Sequence, residues 1–343
     1  MSSFQLAGRS IEPGERVTLD LPVIELYTHS PLHMPVQVVR GKKPGPTLFV
    51  SAAIHGDEIN GVEIVRRLLA HGALKKLRGT LIAIPVVNVQ GFLAHSRYTP
   101  DRRDLNRSFP GSERGSVAGR LANLFVKEIL EQADCGIDLH TAAIHRDNLP
   151  QIRADLDDAR NRELAEAFGV AVILNAELRP GSLRGCAGER GIPMLLYEAG
   201  EALRFDETCI RAGLRGVLNV MRKLDMLPSV KTAIAKPVQA DTSYWVRADK
   251  SGVMCSRTAL GTRVAANAHL ADIADPLGEK TVPVTGRHAG IVIGRTNLPL
   301  VNEGDALYHI ARFGDSRHVG KQLRRFHDDL GDDPALDAMP EIV

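Results

Sequence analysis

The sequence predicts an α/β protein with a mixed, mostly parallel sheet flanked by helices, followed by a small all-β domain resembling a barrel-sandwich. Three observations lead there. A continuous β-prone run at 47–54 follows the breaker Lys43-Pro44-Gly45-Pro46, as expected of a strand buried on both faces. Apolar strands then alternate with helical periodicity to about residue 224. Beyond about 230 the helical pattern stops, and Gly, Pro and β-branched residues carry a weak internal repeat.

The elements follow in order. Residues 1–45 hold short lead-in strands such as Val36-Gln37-Val38-Val39. The strand at 47–54 is ended by His55-Gly56-Asp57-Glu58. Val62, Ile64, Val65, Leu68 and Leu69 then mark a helix over 59–71, stopped by Gly72. A strand is expected at 80–87 and a helix at 117–131, with Leu121, Leu124, Phe125 and Ile129 on one side. A short strand at 135–139 ends at His140. A helix at 155–168, strands at 170–174 and 193–197, and a long helix at 206–224 complete this part. The segments 143–152 and 175–190 read as loops, with no readable code for substrate choice. In the repeat, Ser251-Gly252-Val253-Met254 leads to Leu270-Ala271-Asp272-Ile273-Ala274, and Ala289-Gly290-Ile291-Val292 leads to Leu307-Tyr308-His309-Ile310-Ala311. The expected domains are 1–235, catalytic α/β; 236–320, all-β; and 321–343, a charged, mobile tail.

Composition narrows the function. Apolar residues make up 44% and charged residues 24% of the 343 residues, enough for a core without staples. Lys plus Arg is 43 and Asp plus Glu is 41, a net +2, so global charge gives no case for nucleic acid or a membrane surface. Aromatic residues are only 4%, with one Trp, which weighs against base stacking. The opening MSSFQLAGRS has no leader pattern, and no run reaches the ~18 apolar residues of a membrane helix. Cys135, Cys186, Cys209 and Cys255 are scattered without a CxxC pair. They read as reduced thiols of a cytoplasmic protein.

Four segments carry chemistry. His55 and Glu58 sit where a buried strand gives way to a helix, the end at which parallel sheets bind ligands. An imidazole and a carboxylate there can converge on one metal, although surface groups capping the helix are the readier explanation of that pair alone. Asp138-Leu139-His140-Thr141 ends another strand; His140 offers a third ligand, and Asp138 an acceptor to orient an imidazole. Tyr197-Glu198-Ala199-Gly200 delivers an acid at a third strand end, suited to general acid–base work or to a cap. The loop 95–111 holds Arg97, Arg102, Arg103 and Arg107, which suit an oxyanion or a substrate carboxylate. Paired with its own aspartates, the same loop would be an ordinary solvated surface.

In this order the motifs His55-Gly56-Asp57-Glu58, Asp104-Leu105-Asn106-Arg107 with Phe109-Pro110-Gly111, Asp138-Leu139-His140-Thr141 and Tyr197-Glu198-Ala199-Gly200 resemble the succinylglutamate desuccinylase/aspartoacylase family, a branch of the zinc-carboxypeptidase fold. The resemblance covers roughly 45–225. It implies one Zn²⁺ per chain held by His55, Glu58 and His140, with Glu198 as general base. Asn106 and Arg107 match substrate-carboxylate residues, and Arg184 a second substrate arginine. Arg97 fits the oxyanion role, with Arg102 and Arg103 as competitors. The implied reaction is hydrolysis of an amide in a small, carboxylate-bearing N-acyl amino acid. A peptidase of the same fold and a metal-free binding module are the rivals. Nucleic-acid and membrane partners are not expected, and a homo-oligomer is left open. The all-β repeat resembles biotinyl and lipoyl carriers, but Lys280 lies between Glu279 and Thr281. No biotin or lipoyl group is therefore expected, and a structural or gating module fits better.

Overall fold

The computed structural model describes residues 3–230, 237–314, 319, 320, 322 and 326. Its centre is a parallel run of four strands: Arg78–Ile84, Lys43–Ala52, Cys135–Ala142 and Met194–Glu201. Every residue of Cys135–Ala142 is buried, as the unbroken apolar pattern requires. Alternation along Lys43–Ala52 feeds two cores. Leu48, Val50 and Ala52 join Ile64, Val65 and Leu68 of the helix Asn60–Ala70 and Ile210, Leu214 and Val217 of the helix Glu207–Lys223. Phe49 joins Leu121 and Phe125 of the helix Val117–Glu128 on the opposite face. The fold is thus helix on both faces of one sheet.

Both flanks of the sheet are antiparallel. On one side lie Pro31–Arg40 and Arg16–Glu25, the expected lead-in strands. On the other, Arg146–Ala154 pairs antiparallel with Met194–Glu201, then Gly290–Thr296, Ala306–Arg312 and Thr242–Arg247 follow. The repeat is two antiparallel pairs. Gly252–Ser256 pairs with Ala268–Ala274 in a separate four-stranded sheet, and Gly290–Thr296 pairs with Ala306–Arg312 in the large one. Between them Met254, Leu270, Ile273, Val292, Leu307 and Ile310 form a third core. The boundary expected at 235–236 touches residues outside those described, as does the expected tail 321–343 except Gln322 and Phe326. Hydrogen bonding crosses that boundary, because Gly294 pairs with Asn148.

Two segments expected as loops, 143–152 and 175–190, instead contain regular elements. The strand Arg146–Ala154 was hidden by Pro150 and by polar residues on its cavity face. Its register against Met194–Glu201 shifts between Glu198 and Gly200, a bulge that tolerates the proline. Leu183–Glu189 is a short helix capped by Ser182, whose two internal glycines conceal its periodicity. The helix expected at 155–168 begins only at Ala159, because the Asp158 carboxylate caps the amides of Arg160 and Asn161. Among the described residues no helix is long and apolar enough to cross a membrane.

One buried ion network ties down the helix that follows the first motif. Arg67, 1% exposed, donates to both Glu207 carboxylate oxygens at 2.7 and 2.8 Å and to Glu63 at 2.7 Å. It locks Asn60–Ala70 to Glu207–Lys223. Arg66 also donates to both Glu63 oxygens, at 2.6 and 2.7 Å, so the network continues on the same helix.

Candidate active site

The carboxyl ends of the parallel strands meet at one place. After Lys43–Ala52 the chain turns through Ala53, whose φ is 51°. Gly56 then lies against the Gly91–Phe92 peptide; a Cβ there would sit 2.0 Å from the Gly91 carbonyl carbon. Only glycine fits between His55 and Asp57, and this close approach fixes the turn that presents His55 and Glu58.

Glu58 is the hub. Its Oε1 lies 2.7 Å from His55 Nδ1 and its Oε2 lies 2.7 Å from His140 Nδ1. The Thr141 backbone N–H donates to Oε2 at 3.1 Å, and Arg97 donates to Oε1 at 3.0 Å. The other imidazole nitrogens are also held. His55 Nε2 is 3.0 Å from Asp104, and His140 Nε2 is 2.8 Å from Asp138, which Ser51 Oγ fixes at 2.7 Å. All three central side chains are buried.

Electrostatics follow from burial and crowding. Burial opposes charge on both histidines, but the Glu58 carboxylate, with Asp104 beside His55 and Asp138 beside His140, holds them above the ordinary imidazole value. Burial likewise works against Glu58, and the two imidazoles overcome it, keeping the carboxylate well below the usual range. Asp104 is held down by His55 and Arg97 despite partial burial.

Ligand atoms of His55, Glu58 and His140 all lie within 4.8 Å of one another. The donor set suits zinc, and the outer carboxylates suit it further. Asp104 and Asp138 each occupy one imidazole nitrogen and leave Nδ1 facing the common centre, the arrangement in which an outer carboxylate orients a ligating histidine. These residues could hold a divalent metal.

Glu198, Arg97, Asn106, Arg107 and Arg184 line, together with this cluster, a cavity of about 850 Å³. Glu198 stands at its strand end; Asn148 donates to its Oε2 at 2.7 Å, and Arg153 lies 3.5 Å from its Oε1. Arg97 also donates to Asp104 at 3.1 Å. Arg102 and Arg103, the competitors, are exposed and do not line the cavity, and Arg103 pairs with Asp101. Asn106 Oδ1 accepts from the Leu183 amide at 2.9 Å. Arg107 lines the cavity and donates to the Asn106 carbonyl. Arg184 lines it too, but its two terminal nitrogens donate to the Ala176 and Glu177 carbonyls at 2.7 Å each, and burial lowers it to about 10. Its guanidinium braces the 176–177 backbone. Four neighbours escaped the sequence reading as individual contributors: Asp104, Asn148, Arg153 and Trp245. Asp104 stood in a quoted motif, but only the fold shows that it meets His55. The other three lie on strands of the antiparallel flank.

Residues 44–224 match the Succinylglutamate desuccinylase/Aspartoacylase catalytic domain. The chain belongs to this family, a class of deacylating enzymes built on the fold described above. It is 28% identical over 297 residues to the N-alpha-acetyl-L-2,4-diaminobutyric acid deacetylase of Halomonas elongata, covering 82% of this chain and 86% of that one. It is 30% identical over 149 residues to the succinylglutamate desuccinylase of Pseudomonas aeruginosa, a match that covers 40% of this chain and 43% of that protein. Among solved structures, the product-bound ectoine utilization protein EutE (DoeB) of Ruegeria pomeroyi superimposes with a TM-score of 0.80 at 25% identity, covering 88% and 97% of the two chains.

Proposed function

We propose that this chain is a zinc-dependent amidohydrolase that removes the acyl group from a small N-acyl amino acid or related carboxylate-bearing compound. One observation carries the reading: two imidazoles present Nδ1 to the same carboxylate while an outer acid holds each Nε2. His55, Glu58 and His140 would hold one metal ion. Bound there, it would lower the pKa of a water from ~16 toward 7 and polarise the acyl carbonyl.

The chain's own groups supply the rest. Glu198 takes the proton of the attacking water on its carboxylate and passes it to the departing amine nitrogen as the C–N bond breaks. Asn148 anchors Oε2 of that carboxylate, so its aim is set before substrate arrives. Arg97, three-quarters buried beside the cluster, faces the developing oxyanion. Arg107 and the Asn106 amide take the substrate carboxylate. Arg107 is suited to the task because its guanidinium has no acidic side chain bonded to it among the described residues. A cavity of about 850 Å³ lies within the usual ~300–1,000 Å³ of small-molecule sites, which favours small substrates over a peptide groove.

The test is a panel of N-acyl amino acids incubated with zinc-loaded protein, scored by free amine released. Turnover of at least one small N-acyl amino acid, lost on chelation and restored by zinc, is expected. Cleavage confined to peptides would favour the peptidase rival.

A further inference from the structure

The strand that carries Glu198 slips against both neighbours directly after that residue. Against Cys135–Ala142, Glu198 pairs with His140, and the next pair is Glu201 with Ala142. Against Arg146–Ala154, Glu198 pairs with Gln151, and the next pair is Gly200 with Asn148. Met194–Glu201 thus has one extra residue against the first partner and one fewer against the second. Irregularities of this kind re-aim side chains beside active sites. Gly200, with φ 77°, completes the bend. The pairing that lines Glu198 up with His140 therefore ends at Glu198 itself, and the chain beyond it needs another hold.

That hold comes from the turn that carries His55 and Glu58. Asn60 is the first residue of the helix Asn60–Ala70 and is 1% exposed. Its Nδ2 donates to the Ala199 carbonyl at 3.2 Å, and its Oδ1 accepts from the Asp206 amide at 3.0 Å. Both partners are backbone groups of fixed polarity, so one orientation of the side-chain amide satisfies them. The Asp57 carbonyl accepts from the Leu203 amide at 2.8 Å. Residues 57–60 thus hold the segment 199–206 at both ends and in the middle. The fit is close: a Cβ on Gly200 would lie 2.5 Å from Asn60 Nδ2.

Helix packing does not account for the Ala199 bond. Ile64 and Arg67 lie on the same helix face as Asn60 and already join Asn60–Ala70 to Glu207–Lys223. Ile64 sits over Gly213, where a Cβ would be 2.4 Å from its Cδ1, and Arg67 bonds Glu207. The Asn60 Nδ2 bond reaches the strand instead, at the peptide next to Glu198. We infer that Asn60 is a positioning residue for the general base: through the Ala199 carbonyl it sets where Glu198 stands relative to His55, Glu58 and His140. Asn148 anchors the tip of that side chain, and Asn60 anchors its root. The role of Glu198 as base rests on the hydrolase reading, while its position can be measured without turnover.

Two variants separate this role from plain packing. Asn60→Asp keeps the acceptor for the Asp206 amide and removes the donor to Ala199; Asn60→Ala removes both. Crystals of each zinc-loaded variant should show the Glu198 carboxylate displaced and its bond to Asn148 broken, with His55, Glu58 and His140 in place. On the N-acyl amino acid that the wild type turns over fastest, both variants should lower kcat by ~10- to 100-fold at unchanged KM and zinc affinity, the scale of a catalytic group misplaced by about 1 Å. An unmoved Glu198 in Asn60→Asp, or a kcat that falls in Asn60→Ala alone, overturns the role and leaves Asn60 a packing residue. If the wild type turns over no N-acyl amino acid, the hydrolase reading fails, and the position of Glu198 in the two variants still decides whether Asn60 sets it.

Discussion

The parallel centre and the antiparallel flank of this sheet build opposite walls of one cavity by different means. In the centre three of the four parallel strands deliver a chemical group toward their carboxyl ends: His55 and Glu58 after one, His140 on the next, Glu198 on the third. Such groups stand beside recognisable apolar runs, because a strand buried on both faces reads as a nearly continuous apolar stretch. On the flank the functional side chains project from strand interiors, and cross-strand register gathers them. Asn148, Trp245 and His309 are spread over 161 positions of the sequence (148 to 309), and no local spacing announces that they meet. Chemistry at strand ends can be read from sequence; a wall assembled across a sheet needs the pairing.

That contrast can be broken at several points. The largest effect belongs to the centre. His140→Ala should abolish both bound zinc and hydrolysis, measured as metal content per chain and amine release. Glu198→Gln should lower kcat by ~10²- to 10⁴-fold while zinc stays bound. If kcat is unchanged, Glu198 is not the base. Asp138→Asn removes the acceptor behind His140 and should weaken zinc affinity ~10- to 100-fold, read by competition with a chelator.

The flank should respond more gently. Gly294→Ala would push on Asn148 and should lower kcat by ~10-fold with little change in zinc affinity, an order set by the cost of slightly misplacing a catalytic group. His309 offers a pH signature. Its folded value is depressed to about 3, against about 6.5 when unfolded, so between those limits the unfolded chain binds the extra proton. The stability of the neutral buried ring is therefore intact above pH 6.5 and is lost as pH falls toward 3, by up to ~1.4 kcal/mol per pH unit. Urea midpoints from pH 7 to 5 should fall less steeply for His309→Asn than for the wild type.

Legibility followed physics elsewhere in the chain. The helix Glu207–Lys223 was plain, because it carries a long apolar face and starts at Asp206, whose side chain caps Cys209. The strand Arg146–Ala154 was hidden, since its cavity face carries Arg146, Asn148 and Arg153 in place of apolar residues, and Pro150 sits at its bulge. The candidate cluster His55, Glu58 and His140 was legible as residue types at strand ends. The role of Asp104 was not, because an aspartate in an arginine-rich loop reads first as a surface ion pair. Arg184 shows the converse: a guanidinium in the expected segment spends its donors on backbone carbonyls.

The most direct measurement is anomalous diffraction from zinc-loaded crystals, collected on both sides of the zinc absorption edge. A single peak enclosed by His55 Nδ1, His140 Nδ1 and the Glu58 carboxylate, absent in His140→Ala, is the expected result. A vacant cluster in zinc-loaded protein, or a peak held by other residues, would contradict the metal centre and with it the proposed hydrolysis.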